Sequence, residues 1–128
     1  MSDKFIVEII SPNKSILKSD ASEVSIPSYE GQMGILKDHI PLITFLRPGL
    51  IAINGKEEKK YYVEEGTVEF SDNKLLILTT TAKDLKNLDK KTIDDLLNDA
   101  EKKLQNSELK DKERYIASHK MSTLKEIS

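Results

Sequence analysis

The residues able to do chemistry in this chain are few and scattered. His39 and His119 are its two histidines, and it has no cysteine. A metal centre needs His, Cys, Asp or Glu converging at ligand spacing, and the two imidazoles fall in different halves of the chain, so no metal and no cofactor are expected. His39 precedes Ile40-Pro41 and reads as a structural or interface residue; His119 reads as solvent-facing. Gly49 and Gly55-Lys56 resemble a phosphate loop only superficially. Five residues separate the glycines where four are required, and Glu57 stands where Ser or Thr must hold magnesium. Asp94 and Asp95 are adjacent, so on a helix they point about 100° apart and cannot act as a pair. They fit better as first-turn acids of a helix, favoured by its dipole. There is no G-x-S-x-G elbow and no nucleophile with a neighbouring base. The expectation is a protein that is not an enzyme.

The elements that must carry any other function come in two kinds. Over the first ~82 residues the apolar period is two. Phe5, Val7 and Ile9 alternate with Ile6, Glu8 and Ile10, and Pro12-Asn13 breaks the run. Val24 and Ile26 alternate before Pro27. Leu50 to Ile53 is followed by Asn54-Gly55, a pair suited to the positive φ of a tight hairpin, with Tyr61-Tyr62-Val63 as the return strand. Val68 and Phe70, a turn at Asp72-Asn73, and Leu75 to Thr80 complete the series. Short strands at this spacing predict an antiparallel β-sandwich or barrel.

From residue 67 onward there is no glycine or proline, and the period changes. Asp89 is a good N-cap. Ile93, Leu96, Leu97, Ala100 and Leu104 then form one apolar stripe. Asn106-Ser107 reads as a loop, and a second helix is predicted from about Lys110 to Ile127. Its stripe is thinner: Ile116, Ala117, Met121, Leu124 and Ile127. The expected fold is therefore two-part, a β-sandwich over 1–82 and an antiparallel α-helical hairpin over 83–128. With so few apolar anchors, the second helix is expected to dock and undock at little cost.

Charge excludes some partners. Lys and Arg are interleaved with Asp and Glu, and the net charge is -2, so no basic face tracks phosphates and no nucleic acid is expected. The lack of cysteine fits a reducing compartment. Met1-Ser2-Asp3-Lys4 leads straight into the first alternating segment, which predicts no signal peptide. No apolar run approaches the ~18 residues of a membrane span, so membrane association is expected only through a partner.

The distinctive stretch runs from Glu30 to Gly49: Glu30-Gly31-Gln32-Met33-Gly34-Ile35-Leu36-Lys37-Asp38-His39-Ile40-Pro41-Leu42-Ile43-Thr44-Phe45-Leu46-Arg47-Pro48-Gly49. Glycines, prolines and apolar residues are mixed in a loop-rich region, which suits either an irregular core strand or a docking surface. It resembles the signature of the epsilon subunit of bacterial and chloroplast-type F-type ATP synthases. Tyr62 to Phe70 and Asn73 to Ala82 resemble two further blocks of that family in the same order. The motif match covers about residues 4 to 82, the rest matching in architecture only. Three positions depart from the pattern. Lys37-Asp38 replaces Pro-Gly, so a different turn is expected before His39. Glu65 replaces the first of two glycines, which suggests a relieved positive-φ position. Gln32 replaces a common glutamate.

The resemblance implies a non-catalytic subunit of the rotary central stalk that couples the gamma subunit to the c-ring during proton-driven ATP synthesis. It implies a contact with the c-subunit ring at Tyr29, Glu30, Gly31, Gln32 and Met33, and part of the gamma contact at His39, Ile40, Pro41 and Leu42. The hairpin would be a weak inhibitor of ATP hydrolysis, with Lys110, Lys112, Arg114, Lys120 and Lys125 meeting the alpha and beta catalytic subunits. Some family members bind ATP at the start of the first helix. Here Leu88 and Asp89 keep part of that motif, but Thr92 stands where its arginine would be, so little or no nucleotide binding is expected. The resemblance further implies a peripheral position on the cytoplasmic face of the bacterial inner membrane. The alternatives are an ATP-responsive sensor subunit, an unrelated β-sandwich adaptor and a small hydrolase.

Overall fold

The alternating segments become strands because period-two burial can be satisfied only on a pleated sheet. A computed structural model describes residues 3–128; Met1 and Ser2, where the expected first domain begins, lie outside the described residues. Among the described residues ten strands are formed: β1 Phe5–Ser11, β2 Lys14–Ala21, β3 Glu23–Ser28, β4 Gly31–Leu36, β5 Leu42–Leu46, β6 Gly49–Asn54, β7 Glu58–Val63, β8 Gly66–Ser71, β9 Lys74–Leu78 and β10 Lys83–Asp84. They belong to one hydrogen-bonded sheet, in the order β10-β7-β6-β3-β5-β8-β9-β1-β2, with β4 pairing to β3. The sheet curls on itself around Val7, Ile9, Val24, Ile26, Ile51, Val68, Phe70 and Ile77. Phe5 and Phe70 meet edge to face, with ring centroids 5.6 Å apart. Each fully buried side chain of this size contributes about 1.5–3 kcal/mol before entropy is counted.

Pairing is antiparallel apart from β1 with β9, which run parallel in the register Val7↔Leu75 and Ile9↔Ile77. The curled sheet places its first strand beside its last long one, and the two happen to point the same way. The Pro12-Asn13 and Asp72-Asn73 turns form as expected, closed by the pairs Ser11↔Lys14 and Ser71↔Lys74. Asp72 and Asn73 take φ of 50° and 56°, the two left-handed residues of a tight hairpin. The Asn54-Gly55 expectation is corrected. Asn54 pairs with Glu58, leaving a three-residue loop, and Gly55 is absent from the positive-φ glycines, Gly31 and Gly66. Glycine is needed at 55 for space, since a Cβ there would lie 2.6 Å from the Asp20 carbonyl oxygen. The loop-rich reading of residues 30–49 is also corrected, because most of that segment is regular strand in β4 and β5.

After a short 3-10 turn at Leu85–Asn87, the chain forms α1, Lys90–Leu104, and α2, Asp111–Ile127. Asp89 caps α1, its Oδ1 accepting the Thr92 N–H at 2.8 Å. That hydrogen bond holds the Asp89 carboxyl below the usual aspartate range. α1 and α2 pack against each other. Ile93 and Ala100 are buried in α1, and Ala117, Thr123 and Leu124 in α2. The remaining predicted stripe residues, such as Leu96, Leu97, Ile116 and Met121, are half-buried. The chain divides into two compact units, the second being Lys86–Ser128.

Candidate functional site

The short turn between β3 and β4 places the first group of nominated residues. Ser28 Oγ donates to the Gly31 carbonyl at 2.8 Å and accepts the Glu30 N–H at 3.2 Å. Gly31 takes φ +120°, a conformation side chains rarely adopt. Tyr29 and Glu30 are thereby pushed outward and exposed. Gln32 is exposed and its Nε2 donates to Ser25 Oγ at 2.6 Å. Met33 is different, since its side chain packs against the core. The outward part of this group is therefore Tyr29, Glu30 and Gln32.

The second group lies in the loop between β4 and β5. His39 N–H donates to the Leu36 carbonyl at 3.1 Å, closing a four-residue turn. Asp38 sits at its third position with φ +66°, where a type II turn favours glycine. The turn thus keeps the left-handed residue that Pro-Gly would supply, contrary to the expectation of a different geometry. The His39 ring stands edge-on to Phe70, 5.9 Å between centroids, and its Nδ1 donates to the Ile40 carbonyl at 2.7 Å. Ile40 is 75% exposed, Pro41 is exposed, and Leu42 packs on the core.

Beyond this loop the structure reveals apolar side chains that the motif positions alone did not single out. Ile43 is 74% exposed and Phe45 60%. They sit on the outer face of β5, opposite Glu69 and Thr67 of β8. Thr67 in turn pairs with Leu78 of β9, and Leu78 with Ile10 of β1. Phe45, Leu78 and Ile10 therefore lie along one row of the outer face. The sequence signal was present: Leu42 to Leu46 is apolar in both phases, more than a strand with one buried face needs. The two groups occupy opposite ends of the sheet. Ser28 pairs with Leu46, whereas Leu42 is four residues farther along β5, roughly 13 Å away at ~3.3 Å per residue.

Glu65 has a local role. Its Oε1 accepts from Thr80 Oγ1 at 2.6 Å and the Thr80 N–H at 3.3 Å, and its carbonyl accepts from Thr79 Oγ1 at 2.6 Å. The glycine requirement falls on Gly66, whose Cβ would approach the Leu78 carbonyl oxygen to 2.5 Å. Tyr62 is buried and donates to Glu64 Oε2 at 3.0 Å; burial, then the carboxylate, pushes its phenol pKa up. Among the described residues no group of His, Asp or Glu could hold a metal. No helix of the described residues is long and apolar enough to cross a membrane.

The basic residues of the second helix are not brought together. Lys112 and Lys120 lie roughly 80° apart around the axis, and Lys125 roughly 140° farther. Lys110 stands at the N-cap of α2 with no side-chain cap bond. Arg114 is committed inside the hairpin: Nη1 donates to the Leu104 carbonyl at 3.3 Å and Nη2 to the Asn106 carbonyl at 3.2 Å. It caps the open carbonyls at the end of α1. His119, expected to face solvent, is half-buried, with its ring 4.4 Å from that of Tyr115. At the start of α1, Leu88 is half-buried and the Asp89 carboxylate is occupied by its cap.

Known proteins share this arrangement. Residues 4–84 match a family model described as the ATP synthase Delta/Epsilon chain β-sandwich domain. The ATP synthase epsilon chain of Pelagibacter ubique is 46% identical over 130 residues, covering all of both chains. That of Afipia carboxidovorans is 31% identical over 105 residues, covering 81% of this chain and 77% of the relative. In fold, the chain matches one in a cryo-EM structure of the Euglena gracilis mitochondrial ATP synthase with TM-score 0.80 and 22% identity, over 98% of this chain and 82% of that one. A β-sheet that carries the family's motifs on its turns and outer face, followed by a capped helical hairpin, belongs to the epsilon-chain family of ATP synthases.

Proposed function

We propose that this chain is a non-catalytic rotor subunit whose β-unit grips the gamma subunit with the 37–41 loop and the outer face of β5. The observation that carries this reading is the exposure of Ile40, Ile43 and Phe45 together, within the segment that bears the family's signature. Apolar side chains grouped this way on a folded surface favour a protein partner. A stable complex usually buries more than ~1,000 Å² in total, and these residues supply its apolar centre. The c-ring contact falls to Tyr29, Glu30 and Gln32 at the other end of the sheet. Adhesion at two ends of one stiff sheet suits a part that transmits torque.

The hairpin acts as a weak brake on ATP hydrolysis by the alpha and beta subunits. Dispersed lysines give about 0–1 kcal/mol per exposed pair, and Arg114 is engaged within the hairpin. The complex places the chain peripherally on the cytoplasmic face of the bacterial inner membrane, during proton-driven synthesis. The test is Ile43→Lys in the full-length chain, a charge opposite in sign to its cross-strand neighbour Glu69. Gamma-subunit affinity should fall about 100-fold or more, because a charge would be buried in the apolar centre, while thermal melting stays near the parent value. Unchanged affinity would remove the β5 face from the docking site.

A further inference from the structure

The loop that presents Ile40 is tied to a turn 35 residues away in sequence by two reciprocal hydrogen bonds. Asp38 N–H donates to Asn73 Oδ1 at 2.7 Å, and Asn73 Nδ2 donates to Asp38 Oδ1 at 2.9 Å. Both residues take left-handed backbone conformations, φ +66° and +56°. Short polar side chains tolerate that region better than others, and here they also use it to face each other. The anchor on the far side is firm. Asn73 O accepts the Ile6 N–H at 3.1 Å, which joins the turn to β1, and Phe70, on which the His39 ring rests, is 1% exposed.

We infer that Asp38 and Asn73 form a latch that fixes the docking loop in its binding shape, so that both are positioning residues for the partner contact. This rests on the reading that the 37–41 loop docks the gamma subunit. A glycine at 38 would accept the same φ and keep the N–H bond to Asn73, but lose the second tie. Aspartate accepts that φ and adds a side-chain tie, so less freedom remains to be lost on binding. Both bonds are solvent-exposed, so their effect on the folding of the sheet is small compared with their effect on loop geometry.

The experiment is a swap in the full-length chain. Asn73→Asp keeps a residue suited to the left-handed turn and an acceptor for the Asp38 N–H, but replaces the Nδ2 donor with a carboxylate that repels that of Asp38. Asp38→Asn combined with Asn73→Asp restores a donor opposite an acceptor in the reverse sense. Gamma-subunit affinity and amide hydrogen exchange at residue 38 are measured for each protein. The single variant should bind about tenfold more weakly and exchange faster, with thermal melting little changed, and the swap should recover both readouts. If Asn73→Asp melts early, Asn73→Gly, which suits φ +56° and removes both ties, should give the same loss of affinity. Parent-like binding by the single variant, or a swap that recovers nothing, overturns the latch. A parent chain that fails to bind the gamma subunit refutes the docking reading instead, and the latch loses its role with it.

Discussion

The β-unit and the helical hairpin use their apolar residues in opposite proportions. Strand after strand in the sheet contributes side chains with almost no exposure, such as Val7, Ile26, Ile51 and Ile77, and it still leaves Ile40, Ile43 and Phe45 outside. The hairpin buries two residues in α1 and three in α2, one of them a threonine, and fastens its loop with Arg114. A surplus of apolar surface on a stiff sheet suits permanent adhesion. A scarcity of it on a hairpin suits a part that can change position, since local opening costs least where few contacts hold.

The contrast can be broken most severely in the sheet core. Phe70→Ala removes the ring that touches Phe5 and His39 and should cost about 3–5 kcal/mol, read by equilibrium denaturation of the full-length chain. A cost below about 1 kcal/mol would mean that the sheet is no stiffer than the hairpin. Arg114→Ala sharpens the other side. It uncaps the Leu104 and Asn106 carbonyls, for a loss of roughly 1 kcal/mol confined to the hairpin. Amide exchange should quicken from about residue 104 to 114 while the strands keep their protection. Loss of protection in the strands as well would show the two units to be one cooperative block.

The smallest expected effect is on pH. The folded pKa of Asp89 is depressed by its bond to the Thr92 N–H. A depressed carboxylate stabilises above its unfolded pKa and loses that contribution as pH falls through the folded value. The first turn of α1 should therefore fray on acidification below the usual aspartate range, seen as a loss of Thr92 amide protection relative to the intrinsic exchange rate at each pH. Asp89→Asn, which keeps a cap oxygen but does not titrate, should abolish that pH dependence.

Local signals in the sequence are legible where one residue serves one purpose. Asp89 as a cap, Pro12-Asn13 and Asp72-Asn73 as turns, and the alternation in β1 are of this kind. Residues that answer to something distant are not legible in this way. β2, Lys14–Ala21, is largely polar because it lies at the edge of the sheet, and so shows no clear period. Gly55 looked like a turn residue, but the backbone at Asp20 is what requires it. Arg114 looked partner-facing, but a carbonyl ten residues earlier holds it. For the docking surface, apolarity was visible at Ile43 and Phe45, yet their outward direction depends on which phase of β5 the curled sheet buries. The partner of Asp38 could not be read at all, because it comes from a turn in another part of the chain.

If adhesion resides in the β-unit and regulation in the hairpin, removing the hairpin separates the two. The direct measurement is made on the assembled synthase with the chain ended after Leu85, following subunit retention, ATP hydrolysis and coupled ATP synthesis together. The truncated subunit should be retained, synthesis preserved and hydrolysis raised about two- to fivefold, the scale of a brake held by a few exposed pairs. Loss of the truncated subunit from the complex would contradict that division of roles.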